Sequence, residues 1–214
     1  YDGWNRLTVE TDPAGNATLH TYDKAGNKIS LTYPDGKKTL YEYNDQNLLK
    51  KVTDAVGKSR SFIYNALGNK TGETNKLGIT ASFEYDWLGR LVKETNSQNT
   101  ETIYAYDNNG NRLSITQKDS SANAKSTSFE YDTRNRLTKT VNPGGSTESA
   151  VYDKENNVTQ ATDGNGQIVA FEYDALNRLN KKTVAEGAIL YGYDQWDSVI
   201  ALTDLVGNTT YSYD

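Results

Sequence analysis

The sequence predicts an all-β chain, an antiparallel β-hairpin meander repeated into one large curved or spiralling sheet. Three observations predict it. A Tyr followed by Asp or Asn returns at a nearly constant spacing, at Tyr1, Tyr22, Tyr43, Tyr64, Tyr85, Tyr106, Tyr131, Tyr152, Tyr173, Tyr193 and Tyr213. Eight of the pairs are preceded by a second aromatic two residues earlier, and the first ten are followed by a segment rich in Asn, Asp and Gly. Composition is the third. There are 16 Tyr but 4 Phe, 17 Gly but 3 Pro, and neither Met nor Cys. Mean hydropathy is −0.79. Most large apolar area therefore sits on a side chain whose hydroxyl needs water or a partner, which suits a thin, one-layer structure better than an aliphatic core.

Seven of the ten Tyr-to-Tyr intervals are 21 residues, two are 20 and one is 25. Residues 1–214 thus read as a single array of about ten repeats of about 21 residues. The chain opens on one Tyr-Asp pair and closes on another, as expected of a fragment cut in register with its own repeat.

The first element of each unit is the strand that ends in the Tyr. Tyr41 and Tyr43, Phe62 and Tyr64, Phe83 and Tyr85, Tyr104 and Tyr106, Phe129 and Tyr131, and Phe171 and Tyr173 are two apart, which puts both rings of each pair on one sheet face. The second element is a turn such as Asp107 to Asn111, where Asn and Gly accept the positive φ that hairpins demand. Turns after Tyr22, Tyr64 and Tyr106 read as one residue longer than the turn after Tyr85. A strand with a Leu-x-β-branched pattern follows, as in Leu7-Thr-Val9 and Leu113-Ser-Ile115. A second turn of the same chemistry closes the unit, for example Asp12-Pro-Ala-Gly-Asn16. Two short strands and two tight turns leave no room for a crossover helix, so the sheet is antiparallel. Some twenty strands of accumulating twist must coil. The 25-residue interval carries an insertion, expected near residues 118–126.

A double repeat of about 42 residues overlies the single one. Glu42, Glu84, Glu130 and Glu172 precede the Tyr of every second unit. Spacing like charges beyond the Debye length of about 8 Å would account for this.

Candidate sites follow from the same repetition. Tyr1, Tyr22, Tyr43, Tyr64, Tyr85, Tyr106, Tyr131, Tyr152, Tyr173 and Tyr193, with Asp2, Asp23, Asp86, Asp107, Asp132, Asp153, Asp174 and Asp194, are read as repeat-defining structural residues. The Tyr rows could stack sugars, but cross-strand packing explains them directly. The Asp residues could ligate a metal, but turn capping explains their recurrence. Arg6, Arg90, Arg112, Arg136 and Arg178 recur at one phase of the first turn and would form inter-repeat ion pairs, small if exposed. Asp163-Gly-Asn-Gly-Gln167 resembles a glycine-rich Ca²⁺ loop but lacks the nonapeptide period. His20 is the only histidine and has no nucleophile or ligand pattern around it. A catalytic carboxylate pair is singular, whereas these acids are iterated. No catalytic residue, metal or cofactor is expected. Nor is nucleic-acid binding, because 23 basic residues are spread among 28 acidic ones without a basic stripe. No apolar stretch has the length of a membrane span, and no signal peptide opens the chain.

Tyr1-Asp-Gly-Trp-Asn-Arg-Leu7, Tyr85-Asp-Trp-Leu-Gly-Arg-Leu91, Tyr131-Asp-Thr-Arg-Asn-Arg-Leu137 and Tyr173-Asp-Ala-Leu-Asn-Arg-Leu179 closely resemble the YD repeats of rearrangement-hotspot (Rhs) proteins, over essentially the whole chain. That family includes bacterial polymorphic toxins, the C component of insecticidal toxin complexes, wall-associated proteins and teneurins. The resemblance implies an open fragment of a spiralling β-shell that, in the toxins, encloses a C-terminal toxin domain. It implies a secreted or cell-surface, wall-associated bacterial protein, delivered into target cells in the toxin case. Implied partners are the rest of the parent shell and the enclosed toxin domain. Without terminal caps, the open edge strands would also favour edge-to-edge self-association. A carbohydrate-binding, adhesive surface that engages glycans is the alternative role.

Overall fold

The computed structural model describes residues 1–213; Asp214, the second half of the last Tyr-Asp pair, lies outside the described residues. The chain is all-β, an open meander of twenty antiparallel strands, with no helix among the described residues. The strands are β1 (Val9–Thr11), β2 (Ala17–Tyr22), β3 (Lys28–Thr32), β4 (Lys38–Tyr43), β5 (Leu49–Thr53), β6 (Ser59–Tyr64), β7 (Lys70–Thr74), β8 (Thr80–Tyr85), β9 (Leu91–Asn96) and β10 (Glu101–Tyr106). They continue as β11 (Arg112–Lys118), β12 (Ala124–Tyr131), β13 (Leu137–Val141), β14 (Thr147–Tyr152), β15 (Val158–Thr162), β16 (Ile168–Tyr173), β17 (Leu179–Val184), β18 (Gly187–Tyr193), β19 (Val199–Thr203) and β20 (Asn208–Thr210).

The chain divides into two compact units, Tyr1–Ile103 with Gln117–Asn123, and Tyr104–Thr116 with Ala124–Asp214. In the first, every strand from β1 to β10 pairs with its neighbour in sequence. In the second, the same holds from β12 to β20. Hairpins closed by a Tyr-Asp turn carry a register shift just before the Tyr, as between Glu42 and Tyr43, where Glu42 faces Lys51 but Tyr43 faces Leu49. The extra residue is a β-bulge.

The fourth residue after each Tyr has a positive φ in all ten turns: Gly26, Gly68, Gly89 and Gly110, otherwise Asn5, Asn47, Asn135, Asn156, Asn177 and Asp197. These are the residue types that tolerate the left-handed region. The turn after Tyr85 is therefore not shorter than the others. Asp86 N–H donates to Arg90 O at 2.9 Å and Gly89 N–H to Asp86 O at 3.0 Å, as Asp23 donates to Asn27 and Gly26 to Asp23. What looks like an added turn residue after Gly26 is the position that Arg90 fills after Gly89.

The long 106-to-131 interval is also absorbed without a new loop. β11 has seven residues and β12 eight, against five and six in β5 and β6. The intervening turn keeps the common form, with Asp119 N–H on Asn123 O at 3.1 Å. Two additional residues on each strand preserve pairing parity, since a shift of one would send every side chain to the wrong face.

Among the described residues no hydrophobic side chain is buried, and the buried residues are His20 and Thr39, each 8% exposed, and Gly72. The chain exposes 14271 Å². A 23.8 kDa monomer folded around a core exposes about 9,900 Å². Stability must therefore come from main-chain ladders, turns and half-buried rings within one layer.

Candidate functional site at the Tyr-Asp turn

The repeated pair builds a joint whose first component is a capped turn. Asp2 Oδ1 accepts the N–H groups of Trp4 and Arg6, both at 3.0 Å, while its Oδ2 accepts Arg6 Nε at 2.7 Å. Asp132 and Asp174 do the same with Arg136 and Arg178. Asp86 takes Leu88, Arg90 N–H and Arg90 Nε. Asp23, Asp107 and Asp153 hold the side-chain amides of Asn27, Asn111 and Asn157 instead of a guanidinium. Asp194 caps Trp196 and Ser198. Asn44 and Asn65, which replace Asp, keep the backbone half of the pattern.

These contacts act on the carboxyl groups. The Arg6 side-chain hydrogen bond, followed by the Arg6 backbone N–H, lowers Asp2 to about 2. Asp132 and Asp174 are lowered chiefly by the backbone N–H of Arg136 and Arg178. Each of these carboxylates caps its own turn. The Ca²⁺-like segment is no different, because Asp163 Oδ1 caps Asn165 and Gln167, both at 2.9 Å, as an ordinary second turn.

The second component joins repeats. Tyr22 Oη donates to Leu7 O at 2.9 Å, Tyr43 to Lys28 O at 3.0 Å, Tyr64 to Leu49 O at 2.9 Å and Tyr85 to Lys70 O at 2.8 Å. Tyr131, Tyr152, Tyr173, Tyr193 and Tyr213 donate to Arg112, Leu137, Val158, Leu179 and Val199. The acceptor always lies six residues after the preceding Tyr of the array. It stays so across the long interval, where donor and acceptor are 19 residues apart. Why that carbonyl needs a donor is visible at β3–β4, whose ladder stops at Ser30 and Leu40. Lys28 precedes the bulged residue and has run out of ladder, so the hydroxyl supplies the missing partner. Tyr106 occupies the corresponding place in its unit, and Tyr1, at the chain start, is 79% exposed.

The third component is the residue five after the Tyr. Guanidinium carbons of Arg6, Arg136 and Arg178 lie 4.6, 4.5 and 4.7 Å from the ring centres of Tyr22, Tyr152 and Tyr193, the Tyr of the next repeat. The same groups donate to Asp23 O, Asp153 O and Asp194 O. One side chain thus ties its own cap to the next turn and covers that turn's ring, a cation–π contact of about 0.5–1 kcal/mol where exposed. The expected ion-pair column is corrected accordingly. Most Arg–Asp pairs are internal to a turn, and Arg178 also pairs with the next repeat's acid, Asp197, at 2.8 Å. Arg112 is not in this phase. It stands six residues after its Tyr, and its guanidinium carbon lies 5.4 Å from the Tyr104 ring centre. At Leu48 an aliphatic side chain replaces the arginine.

The alternating glutamates have a partner that the spacing argument missed. Glu42, Glu84, Glu130 and Glu172 face Lys51, Lys93, Lys139 and Lys181 across the hairpin, with N–O distances of 3.2, 3.5, 3.0 and 2.8 Å. Cross-strand pairing, rather than repulsion between repeats, accounts for them. The signal was available, as a Lys nine residues after each Glu.

His20 sits two residues before Tyr22, in the position filled by Tyr41, Phe62 and Phe83 in the next units. Neither ring nitrogen has a hydrogen-bond partner, and Glu10 is 4.0 Å away. It occupies the place of a ring in the row.

The family model of the RHS repeat matches residues 1–38, 43–80, 85–122 and 152–189, each match beginning on a Tyr of the array. No curated protein matches the chain. Among solved structures it is similar to the crystal structure of TcdB2-TccC3-Cdc42, at 11% identity and a TM-score of 0.55 over 91% of this chain and 13% of that one. It is equally similar to a Photorhabdus luminescens Tc holotoxin pore bearing a TccC3 mutation, at 15% identity and a TM-score of 0.55, over 89% and 13%. TcdB2-TccC3 without its hypervariable C-terminal region follows at 11% identity and 0.53, over 91% and 13%. At such identities the likeness is one of fold, and this chain spans 13% of the length of those chains.

Proposed function

The chain belongs to the RHS repeat family, and from that membership we propose that it is a structural wall segment of a bacterial polymorphic toxin, part of a hollow β-shell that encloses a C-terminal toxin domain. One observation carries the reading: a twenty-strand layer with no buried hydrophobic side chain among its described residues. Such a layer is built to separate two spaces. In this role the Tyr-Asp pairs are joints, not a reaction centre, and the segment has no catalysis of its own. The toxin is secreted and delivered into target cells, and the segment's partners are the flanking repeats and the enclosed domain. β1 and β20, each paired on one side, are where flanking repeats or a second copy add.

Limited proteolysis of the parent polypeptide tests this. The region that follows the repeats is expected to resist protease while the array is intact and to become cleavable when several joints are broken together by Tyr→Phe and Asp→Ala changes. Equal cleavage in both states would refute enclosure. A glycan array is expected to stay blank, and reproducible hits abolished by changes on the Tyr face would favour the adhesive role instead.

A further inference from the structure

The row of rings two residues before each Tyr is broken once. Within the second unit it runs Phe129, Ala150, Phe171 and Tyr191, on β12, β14, β16 and β18. Successive members stand two strands apart, about 10 Å, so the missing ring leaves about 19 Å between Phe129 and Phe171. The floor is low as well as ringless. Ala150 faces Ala161, and Ala161 faces Val169, across β14, β15 and β16. At the equivalent place in other units the facing residue is larger: Val52 beside Tyr41, Thr140 beside Phe129, Lys182 beside Phe171 and Leu202 beside Tyr191.

The result is a groove of about 400 Å³, walled by Tyr152, Thr140 and Leu137 and edged by the carboxylates of Glu148 and Asp163. Arg136 covers one face of the Tyr152 ring, 4.5 Å from its centre. Arg136 is itself neutralised by Asp132 at 2.7 Å. Lys139, which also borders the groove, has its ammonium on Glu130 at 3.0 Å, and Glu130 lies on the opposite face from Phe129. The rim is therefore acidic above an apolar floor of ring size.

We propose that this groove is a socket for an aromatic side chain of a peptide segment, with a Lys or Arg next to that residue in sequence. The inserted ring completes the interrupted row, where ring-to-ring and ring-to-aliphatic contacts are favourable. The flanking cation meets Glu148 and Asp163. Sugars also stack on tyrosine, but one face of Tyr152 is already occupied and the floor offers methyl groups rather than hydrogen-bonding partners. This inference goes beyond the wall reading and does not need it, since a wall could lack any socket.

The test is titration of the 214-residue chain, followed by amide shifts of Ala150, Ala161 and Val169, with N-acetyl-Lys-Phe-Lys-amide as probe. Saturable shifts centred on those three residues are expected. Lys-Ala-Lys and Glu-Phe-Glu peptides are expected to bind at least about tenfold more weakly. Ala150→Phe, which fills the socket from within, should abolish the shifts while the unfolding midpoint stays the same or rises. If Ala150→Phe disturbs the sheet, Ala161→Phe fills the floor from the neighbouring strand and must give the same loss. Unchanged peptide binding in a folded filled variant, equal binding of Lys-Ala-Lys, or tighter binding of cellotriose than of the aromatic peptide would each overturn the proposal. None of those results would touch the protease-protection test of the wall.

Discussion

Each repeat has two turns of almost identical chemistry, yet the two kinds are linked to their neighbours differently. At Asp54 to Lys58 the carboxylate caps Val56 and Lys58 N–H groups as Asp132 caps those of Arg134 and Arg136. Between successive second turns the contact observed is the ion pair of Lys76 with Asp54, at 2.7 Å. Between successive Tyr-Asp turns there are Tyr hydroxyls, arginine bridges and side-chain amide bonds such as Asn27 to Asn47 and Asn157 to Asn177, both 2.9 Å. All three Trp residues, Trp4, Trp87 and Trp196, are at Tyr-Asp turns, and all three Pro residues, Pro13, Pro34 and Pro143, are at second turns. Capping makes a turn; the hydroxyl and the fifth-position side chain make a joint.

The largest expected effect separates the two turns directly. Asp132→Ala removes two caps and the anchor of Arg136, whereas Asp163→Ala removes only two caps. The drop in urea midpoint for the first should be about twice that of the second. Equal losses would mean that the joint contributes nothing beyond its turn.

Acid should act on the same contrast. Because hydrogen bonding lowers the Asp2, Asp132 and Asp174 carboxyls in the folded chain, their stabilisation is complete above the unfolded carboxylate value and is lost as pH falls. For Asp2 that window runs from 3.8 down to about 2. Thermal melts between pH 5 and about 2 should show a falling midpoint, and a flat profile would contradict the assignment.

Smaller effects sharpen the comparison. Tyr64→Phe leaves Leu49 O without its donor and should cost about 1 kcal/mol by chemical denaturation. Tyr33→Phe, at a second turn where the hydroxyl has only a 3.3 Å contact to Thr39, should cost well under half of that. His20→Phe replaces two unpartnered ring nitrogens in a buried slot and should stabilise by about 1 kcal/mol. Smallest is the combined change Asn44→Asp with Leu48→Arg, which installs the missing arginine over Tyr64 and should add about 0.5 kcal/mol. Light scattering of the chain should show association that rises with concentration through β1 and β20, and a strict monomer at high concentration would argue against open edges.

Much of this was legible because every element is local. The alternation of Phe62 and Tyr64, the turn Asn or Gly with its positive φ, and the lack of space for a helix each depend on a few adjacent residues. Asp107 and Asn111 lie within one turn, so a capping contact could be read from four positions. Tyr64 to Leu49 could not, because the acceptor is a main-chain carbonyl exposed by a bulge that the sequence does not mark. The glutamate alternation is visible in the sequence, but its cause, Lys51 opposite Glu42, depends on the strand register.

The amino-acid sequence by itself determined the period, the strand and turn chemistry and the antiparallel connection, because these follow from backbone preferences within about 21 residues. Only the tertiary structure decided how one repeat grips the next. That grip depends on which carbonyl the bulge leaves open and which ring the arginine reaches. Those are distances between chain-remote atoms, and no local preference encodes them.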